Sequence, residues 1–319
     1  MKLQGKVAAI TGGTAGIGRG IAEAFLAEGA SVALMARNEE KAQAVLAELD
    51  VGNRAVFIAG DATVQADIEG FVDKAAAHFG KLDILVNNAG GATGLLPLAQ
   101  LSDESFDQAM KWNVYATFWA CRRALQPMLA AKSGRIINIS SVEGKHGKPV
   151  LTAYSAAKHA VNGLTKALAR EVGTEGITVN AICPGLVITD IIRNNGPDTA
   201  KAMGMTLDEM IAMFAAESAI KRPNTVEEIA AVAVLLASPE GGGITGATIS
   251  VDGGSAQYEP ASAAIAAPTL RSMSPDCGLP RRVRPPLGWM FSPVMKQSSP
   301  HSQIAALATS CEVLRRPSG

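Results

Sequence analysis

The sequence predicts a single α/β domain, a doubly wound parallel sheet of about seven strands, followed by a proline-rich C-terminal tail. Three observations predict this fold class. Short β-branched runs alternate along the chain with longer amphipathic stretches. The short runs are apolar at successive positions, which is typical of strands covered on both faces. Right-handed crossovers then place helices on both sides of the sheet.

Each element follows from this alternation. The helix that starts at residue 226 has a capping box, Thr225 with Glu228 three residues later. Residues 189–224 interrupt the alternation, and their methionines predict a substrate lid, a core-packing helix pair, or both. The predicted strands are Val7–Thr11, Ser31–Ala36, Ala55–Ala59, Leu82–Val86, Gly134–Ile139, Thr178–Ile182 and Thr248–Val251. The predicted helices are Gly16–Glu28, Glu39–Leu49, Ala66–Phe79, Phe106–Ala131, Ala153–Glu171 and Val226–Leu236.

The charge balance divides the chain into two unlike segments. The whole chain carries 29 basic and 29 acidic residues, which argues against a nucleic-acid-binding protein and against an acidic disordered chain. Residues 258–319 contain 7 basic and 3 acidic residues and 9 of the 16 prolines. We therefore expect a catalytic domain over residues 1–257 and a disordered tail over 258–319.

Cysteines and apolar runs predict the compartment. The four cysteines form no CxxC pair, so we expect no disulfide framework and a reducing environment. The later apolar stretch from Ala230 to Ala237 is too short to span a bilayer. The four histidines show no metal-ligand spacing. The expected protein is cytoplasmic, binds no metal and associates with neither membranes nor nucleic acid.

A glycine-rich segment, Thr11-Gly12-Gly13-Thr14-Ala15-Gly16-Ile17-Gly18, joins the first strand to the first helix. Glycines at 12, 16 and 18 allow a tight turn and let a pyrophosphate approach the backbone and the helix N-terminus. An ordinary turn is the alternative interpretation. The strand–turn–helix context favours a dinucleotide site.

Residues after the next three strands fit the rest of a dinucleotide. Arg37 can pair with a ribose 2′-phosphate, so NADP(H) is favoured over NAD(H), although a plain surface arginine is the alternative. Asp61, followed by Ala62, can accept a hydrogen bond from the adenine amino group. The segment Asn87-Asn88-Ala89-Gly90 can line the cofactor and tie neighbouring strands together.

A second group of residues suggests acid–base chemistry. Tyr154 and Lys158 lie four residues apart on a predicted helix, where the lysine charge would lower the tyrosine pKa, although most such pairs are structural. Ser141 follows the fifth strand and can hydrogen-bond a developing alkoxide, while its neighbour Ser140 would point the opposite way. Asn113 is either a satisfied structural amide or the anchor of a water that relays protons.

Taken in order, these motifs closely resemble those of the classical short-chain dehydrogenase/reductases. The resemblance covers about residues 3–257. Ser141 precedes Tyr154 by thirteen residues, as the family's catalytic serine usually does, so the resemblance selects Ser141 over Ser140. It implies a Rossmann fold with a catalytic tetrad of Asn113, Ser141, Tyr154 and Lys158. With the residues above, the predicted cofactor site is Gly12, Thr14, Gly16, Ile17, Gly18, Arg37, Asp61, Ala62, Asn88, Ala89, Gly90, Tyr154, Lys158, Pro184, Gly185, Val187 and Thr189.

The resemblance also implies a role for each member of the tetrad. Tyr154 would be the general acid/base and Ser141 would polarise the carbonyl. Lys158 would lower the tyrosine pKa and bind the nicotinamide ribose, and Asn113 would anchor the relay water. Many NADP-dependent members have a basic residue where this chain has Ala15, so NADP is favoured but NAD remains open. Many members are homotetramers, and we expect a homotetramer or homodimer.

The expected reaction is hydride transfer between a nicotinamide cofactor and a secondary alcohol/ketone couple. The predicted pocket, bounded by residues 91–96, 143–151 and 189–224, is mostly apolar, which favours an apolar or cyclic substrate. Glu143 and His146 are expected to be solvated loop residues. One alternative is a 3-oxoacyl thioester (acyl-carrier-protein) reductase with Arg122-Arg123 as a basic entrance. Another is a catalytically silent, NADP-sensing interaction protein.

Overall fold

The computed structural model of the protein describes residues 1–93, 95–202 and 204–256. The predicted tail, residues 258–319, lies outside the described residues, as does the predicted domain end at residue 257. No helix within the described ranges is long and apolar enough to cross a membrane.

The described residues form one sheet of seven parallel strands, so the predicted fold class is confirmed. The strands are β1 (Val7–Thr11), β2 (Ser31–Ala36), β3 (Ala55–Ala59), β4 (Ile84–Asn87), β5 (Gly134–Ile139), β6 (Ile177–Pro184) and β7 (Thr248–Val251). Their spatial order is β3-β2-β1-β4-β5-β6-β7, which reverses between β1 and β4. Ligands of open α/β sheets bind at the carboxyl edge beside such a reversal.

Two apolar layers cover the sheet. Ile10 of β1 packs with Phe25 and Ile229 in one layer, whereas Ala9 packs with Phe71 in the other. Successive side chains of a strand point to opposite faces, so a strand covered on both sides is apolar at every position. This explains why the predicted strands are continuous apolar runs.

The helices follow the predicted order with one interruption. They are α1 (Gly16–Ala27), α2 (Glu39–Leu49), α3 (Gln65–Phe79), α4 (Asp103–Met110), α5 (Ala116–Ala131), α6 (Thr152–Val172), α7 (Asp190–Ala202), α8 (Leu207–Glu217) and α9 (Val226–Ala237). The single helix predicted over Phe106–Ala131 is wrong, because a π-helical turn, Lys111–Tyr115, separates α4 from α5. The side-chain Nδ2 of Asn113 donates to the Ala109 carbonyl at 2.9 Å, and a side chain inserted into the helix ladder widens it locally.

The stretch between β6 and α9 contains the helix pair α7 and α8. Each of the helices α8 and α9 begins with a complete capping box. The box of Thr225 and Glu228 was predicted from the sequence and is confirmed, whereas that of Thr206 and Glu209 was not predicted. Both boxes satisfy backbone donors that would otherwise be exposed at the helix starts.

Candidate active site

The strand ends bring the predicted functional segments to one edge of the sheet. Thr11 ends β1, Asn87 ends β4, Ser140 directly follows β5 and Pro184 ends β6. Because all strands are parallel, these four ends face the same side.

Asn88 holds the glycine loop in place. Its Nδ2 donates to the carbonyl oxygens of Thr11 (3.1 Å) and Gly12 (3.0 Å). The Thr11 hydroxyl accepts from the backbone N–H groups of Asn88 and Ala89, both at 3.0 Å. Gly12 has a φ of +65°, and a Cβ on Gly18 would overlap the Gly12 carbonyl, so the loop requires glycine at both positions. The predicted tie between neighbouring strands is present.

The start of α1 is suited to an anion. Its N-cap residue, Ala15, provides no side-chain hydrogen bond, and the first turn contains no acidic residue. The first backbone N–H groups of a helix have no partner within the helix. In α1 they are therefore available to a pyrophosphate at the positive end of the helix dipole, beside Thr14, Gly16 and Ile17.

Arg37 and Asp61 lie together at the predicted adenosine end. The glycine loop reaches the end of β2 through the bond from the Gly13 N–H to the Met35 carbonyl, at 3.2 Å. Arg37 is exposed just beyond that strand. Hydrogen bonds from Thr63 lower the pKa of Asp61, and the nearby charge of Arg37 adds to the shift. Asp61 is therefore ionised at neutral pH, as a hydrogen-bond acceptor should be.

The segment that follows β6, residues 185–189, lies at the same carboxyl edge of the sheet. A Cβ on Gly16 would lie 3.1 Å from Cβ of Thr189, so this segment contacts the glycine loop directly. Val187 is buried, and the Gly185 N–H donates to the Val251 carbonyl at 3.1 Å. Glycine loop, uncapped helix start and this segment together fit an extended dinucleotide. Among the described residues, no group of three or more His, Cys, Asp or Glu side chains is placed to hold a metal ion.

Ser141 and Tyr154 are neighbours in the site. Burial raises the pKa of Tyr154 to about 12, and its hydrogen bond with Ser141 acts in the opposite direction. Ser140 points elsewhere, because its hydroxyl donates to the Lys158 carbonyl at 3.3 Å. The predicted choice of Ser141 over Ser140 therefore agrees with the orientation of the two hydroxyls.

Lys158 is a buried cation. Its residue is 5% exposed, and its Nζ donates to the Ile139 carbonyl at 2.9 Å. Burial lowers the pKa of Lys158 to about 8. Its Nζ lies 5.5 Å from the ring centroid of Tyr154. At that distance the lysine charge does not offset the burial of the phenol, so the predicted lowering of the Tyr154 pKa is not seen.

Asn113 shapes the segment after β4. Its Nδ2 donates to the carbonyls of Gly91 (3.0 Å) and Ala109 (2.9 Å), and its Oδ1 accepts from the Gly91 N–H at 3.1 Å. A Cβ on Gly90 would lie 2.6 Å from that Oδ1 and 3.5 Å from the Lys158 Nζ. Of the two interpretations drawn from the sequence, the side chain matches the satisfied structural amide, and a role in a water relay stays a prediction.

Glu143 is not a solvated loop residue, so that expectation was wrong. Residues 142–144 form a 3-10 turn directly after Ser141, and the Glu143 side chain is 6% exposed. Its Oε1 lies 3.1 Å from Nε2 of His146, and its Oε2 accepts from the Ser155 hydroxyl at 3.3 Å. The turn folds the carboxylate inward, where these partners compensate its burial. His146 remains partly exposed, at 29%.

A buried amide network beneath the site was not predicted. Asn87 donates to Asn138 at 2.8 Å, and Asn138 donates to the Thr165 hydroxyl at 2.9 Å. Asn162 donates to the Gly144 carbonyl at 2.8 Å and so supports the turn after Ser141. One feature of the sequence could have indicated this network. Asn138 is a polar residue within an apolar strand, and a buried amide requires a hydrogen-bond partner.

Comparisons with known proteins agree with this architecture. A family model described as short chain dehydrogenase matches residues 6–200. The L-2,3-butanediol dehydrogenase of Corynebacterium glutamicum is 37% identical over 254 residues, covering 78% of this chain and 98% of the relative. A 3-oxoacyl-(acyl-carrier-protein) reductase of Chlamydia muridarum is 36% identical over 256 residues, covering 80% of this chain and 98% of the relative.

A solved structure is also similar. The crystal structure of an actinorhodin polyketide ketoreductase variant with NADPH aligns with a TM-score of 0.75 and 34% identity, covering 79% of this chain and 98% of that chain. The fold and site define an NAD(P)-dependent oxidoreductase that acts on CH–OH groups. The chain belongs to the short-chain dehydrogenase family.

The burial of Lys158 predicts a conflict between stability and activity. Lys158→Met should raise the free energy of unfolding at pH 7 by roughly 1–3 kcal/mol, because the folded state no longer depresses a lysine pKa from 10.5 to about 8. In the wild type the charge is destabilising below pH 8, and this penalty fades as the pH rises from 8 towards 10.5. Urea denaturation of the variant and the wild type at pH 7 and at pH 10 measures the difference in their free energies of unfolding. A variant that is less stable than wild type at pH 7 contradicts this prediction.

Proposed function

We propose that the protein reduces an uncharged ketone to a secondary alcohol with NADPH, and that Tyr154 donates the proton. One observation carries the proposal: the Tyr154 ring centroid lies 5.5 Å from Nζ of the buried Lys158, with Ser141 beside it, at the edge that holds the glycine loop. A phenol with a raised pKa is protonated at neutral pH. That is the form needed by a general acid.

Each tetrad residue has a distinct step in this mechanism. The nicotinamide, when bound, supplies the hydride for the carbonyl carbon. Ser141 donates a hydrogen bond to the carbonyl oxygen, and Tyr154 transfers its phenolic proton to that oxygen as the C=O double bond becomes single. The charge of Lys158 stabilises the resulting phenolate. We assign Asn113 the anchoring of the water through which Tyr154 regains its proton.

We assign the cofactor contacts to three parts of the edge. The glycine loop binds the pyrophosphate, Asp61 and Ala62 bind the adenine, and the segments 88–90 and 184–189 bind the nicotinamide half. Arg37 binds the 2′-phosphate, since it is exposed at the end of β2. This assignment makes NADP(H) the preferred cofactor, in line with the NADPH of the similar ketoreductase structure.

The charges around the site support an uncharged, apolar or cyclic substrate. Two lysines follow the catalytic turn, and each has a partner: Lys145 donates to the Ser250 hydroxyl at 2.7 Å, and Lys148 pairs with Glu217. The charge of Lys148 is therefore compensated by a carboxylate, whereas Lys145 bonds a neutral hydroxyl. The names of the similar butanediol dehydrogenase and polyketide ketoreductase also point to alcohol and ketone substrates.

A reductase of acyl-carrier-protein thioesters is the second candidate, favoured by the name of the Chlamydia muridarum relative. Its phosphopantetheine arm calls for a basic entrance. The arginines suggested for that role are already neutralised, because Arg122 pairs with Glu69 at 2.6 Å and Arg123 pairs with Asp73 at 2.5 Å. We therefore rank this activity below ketone reduction.

We also propose a cytoplasmic homotetramer or homodimer with a catalytic domain over residues 1–257 and a lid over 189–224. Exposed apolar side chains at Tyr115, Phe118 and Leu129 follow one another along the π-helical turn and α5. A second copy of the chain would bury this surface.

Removal of the Tyr154 hydroxyl tests the catalytic assignment. Tyr154→Phe should lower kcat for ketone reduction by at least about 100-fold, since the proton donor is lost. NADPH binding, followed by cofactor fluorescence, should persist. Tyr115→Phe is the matched control, because it removes an exposed tyrosine hydroxyl outside the site. Wild-type turnover by Tyr154→Phe would refute the assignment.

Charge reversal at Arg37 tests the cofactor assignment. Arg37→Asp should lower the ratio of kcat/KM for NADPH to that for NADH by about 100-fold or more, because a carboxylate repels the 2′-phosphate and accepts from ribose hydroxyls. Arg170→Asp is the control, since that exposed arginine lies in the last turn of α6. An unchanged ratio in Arg37→Asp means that Arg37 does not bind the phosphate.

A further inference from the structure

Glu143 is the centre of a polar cluster that the proposed mechanism does not use. Its backbone N–H donates to Oγ of Ser141 at 3.1 Å, and its carboxylate accepts from the Ser155 hydroxyl at 3.3 Å. Ser155 directly follows Tyr154 in the first turn of α6. Glu143 thereby ties the turn after β5 to the start of α6, on both sides of the catalytic pair.

Lys148 connects this cluster to helix α8. Its Nζ lies 3.9 Å from Oε1 of Glu143 and forms an ion pair with Glu217, the last residue of α8. It also lies 4.5 Å from the ring centroid of Phe214, one turn earlier. The Lys148 and Glu217 side chains are only 22% and 29% exposed, so water screens their attraction less than it screens a surface pair.

Few side chains of helix α8 are buried, and the chain just beyond its C-terminus bonds the Gly253 carbonyl through the N–H groups of Ala219 (2.8 Å) and Ile220 (3.2 Å). Only Met210 and Ala215 are buried among its described side chains. A helix held by two apolar side chains depends on contacts at its ends for a fixed position. Lys148 provides such a contact at the C-terminus, where a cation also faces the negative end of the helix dipole.

The backbone next to Lys148 is strained, which indicates that the segment is held firmly. Val150 has a φ of +62°. A β-branched residue is unfavourable in the left-handed region, and such a conformation persists only where its surroundings impose it.

We propose that Lys148 is a positioning residue that clasps helix α8 to the catalytic turn. The clasp consists of Glu217 and Phe214 on α8, Lys148 between them and the turn, and Glu143 on the turn. It sets substrate affinity, because a pre-positioned α8 spares the substrate the entropy cost of ordering this helix. The inference rests on the proposed function in one respect, since it takes α8 as part of the substrate site.

Three variants of the full chain test the clasp. Lys148→Met removes the ammonium, Lys148→Arg keeps a cation, and Lys145→Met removes a neighbouring exposed lysine that bonds Ser250 instead of α8. Lys148→Met should raise KM for the ketone about five- to tenfold while kcat and KM for NADPH change less than about twofold. Lys148→Arg and Lys145→Met should behave like the wild type.

Hydrogen exchange gives a readout that requires no substrate. In Lys148→Met the amides of residues 207–217 should exchange at least about fivefold faster than in wild type, with no change in the strands. The clasp is refuted if α8 exchange is unchanged in Lys148→Met, or if Lys145→Met accelerates it equally. Because exchange does not depend on turnover, this result stands even if no ketone proves to be a substrate.

Discussion

All seven strands run parallel and are covered on both faces, and the position of every functional group depends on this constraint. The carboxyl ends of parallel strands meet at one edge, so polar residues that follow apolar runs collect there although they are distant in sequence. Thr11 and Asn88 are 77 residues apart, yet their hydrogen bonds join β1 to β4 at the point where the strand order reverses. That junction holds the glycine loop open for a dinucleotide.

The same burial that shapes the sheet sets the acid–base properties of the site. Burial disfavours the charged forms of both Lys158 and Tyr154, since it lowers the pKa of the lysine to about 8 and raises that of the phenol to about 12. A charged lysine in this position reduces stability, and we propose that its charge stabilises the phenolate of Tyr154. The amide network of Asn87, Asn138 and Thr165 supports the site from below without adding charge.

The sequence was sufficient for the strand order along the chain, the glycine loop and the pairing of Tyr154 with Lys158, because these follow from local pattern and spacing. The choice of Ser141 over Ser140 came from the resemblance to a known family. The sequence was insufficient where a tertiary contact overrides the local pattern. The helix through Asn113 is interrupted because its amide bonds the Gly91 backbone, 22 residues away. Glu143 is buried because its partners arrive from α6 and from His146, which no periodicity reveals. The effect of burial on the Tyr154 pKa likewise depends on packing.

We propose that this edge of the sheet reduces uncharged ketones with NADPH. The most direct measurement is NADPH oxidation by the purified full chain over a panel of cyclic ketones, small aliphatic ketones, acyl thioesters and quinones, with NADH in parallel. The account predicts turnover of uncharged ketones, fastest with NADPH. Turnover confined to acyl thioesters, or none with any carbonyl compound, would contradict it.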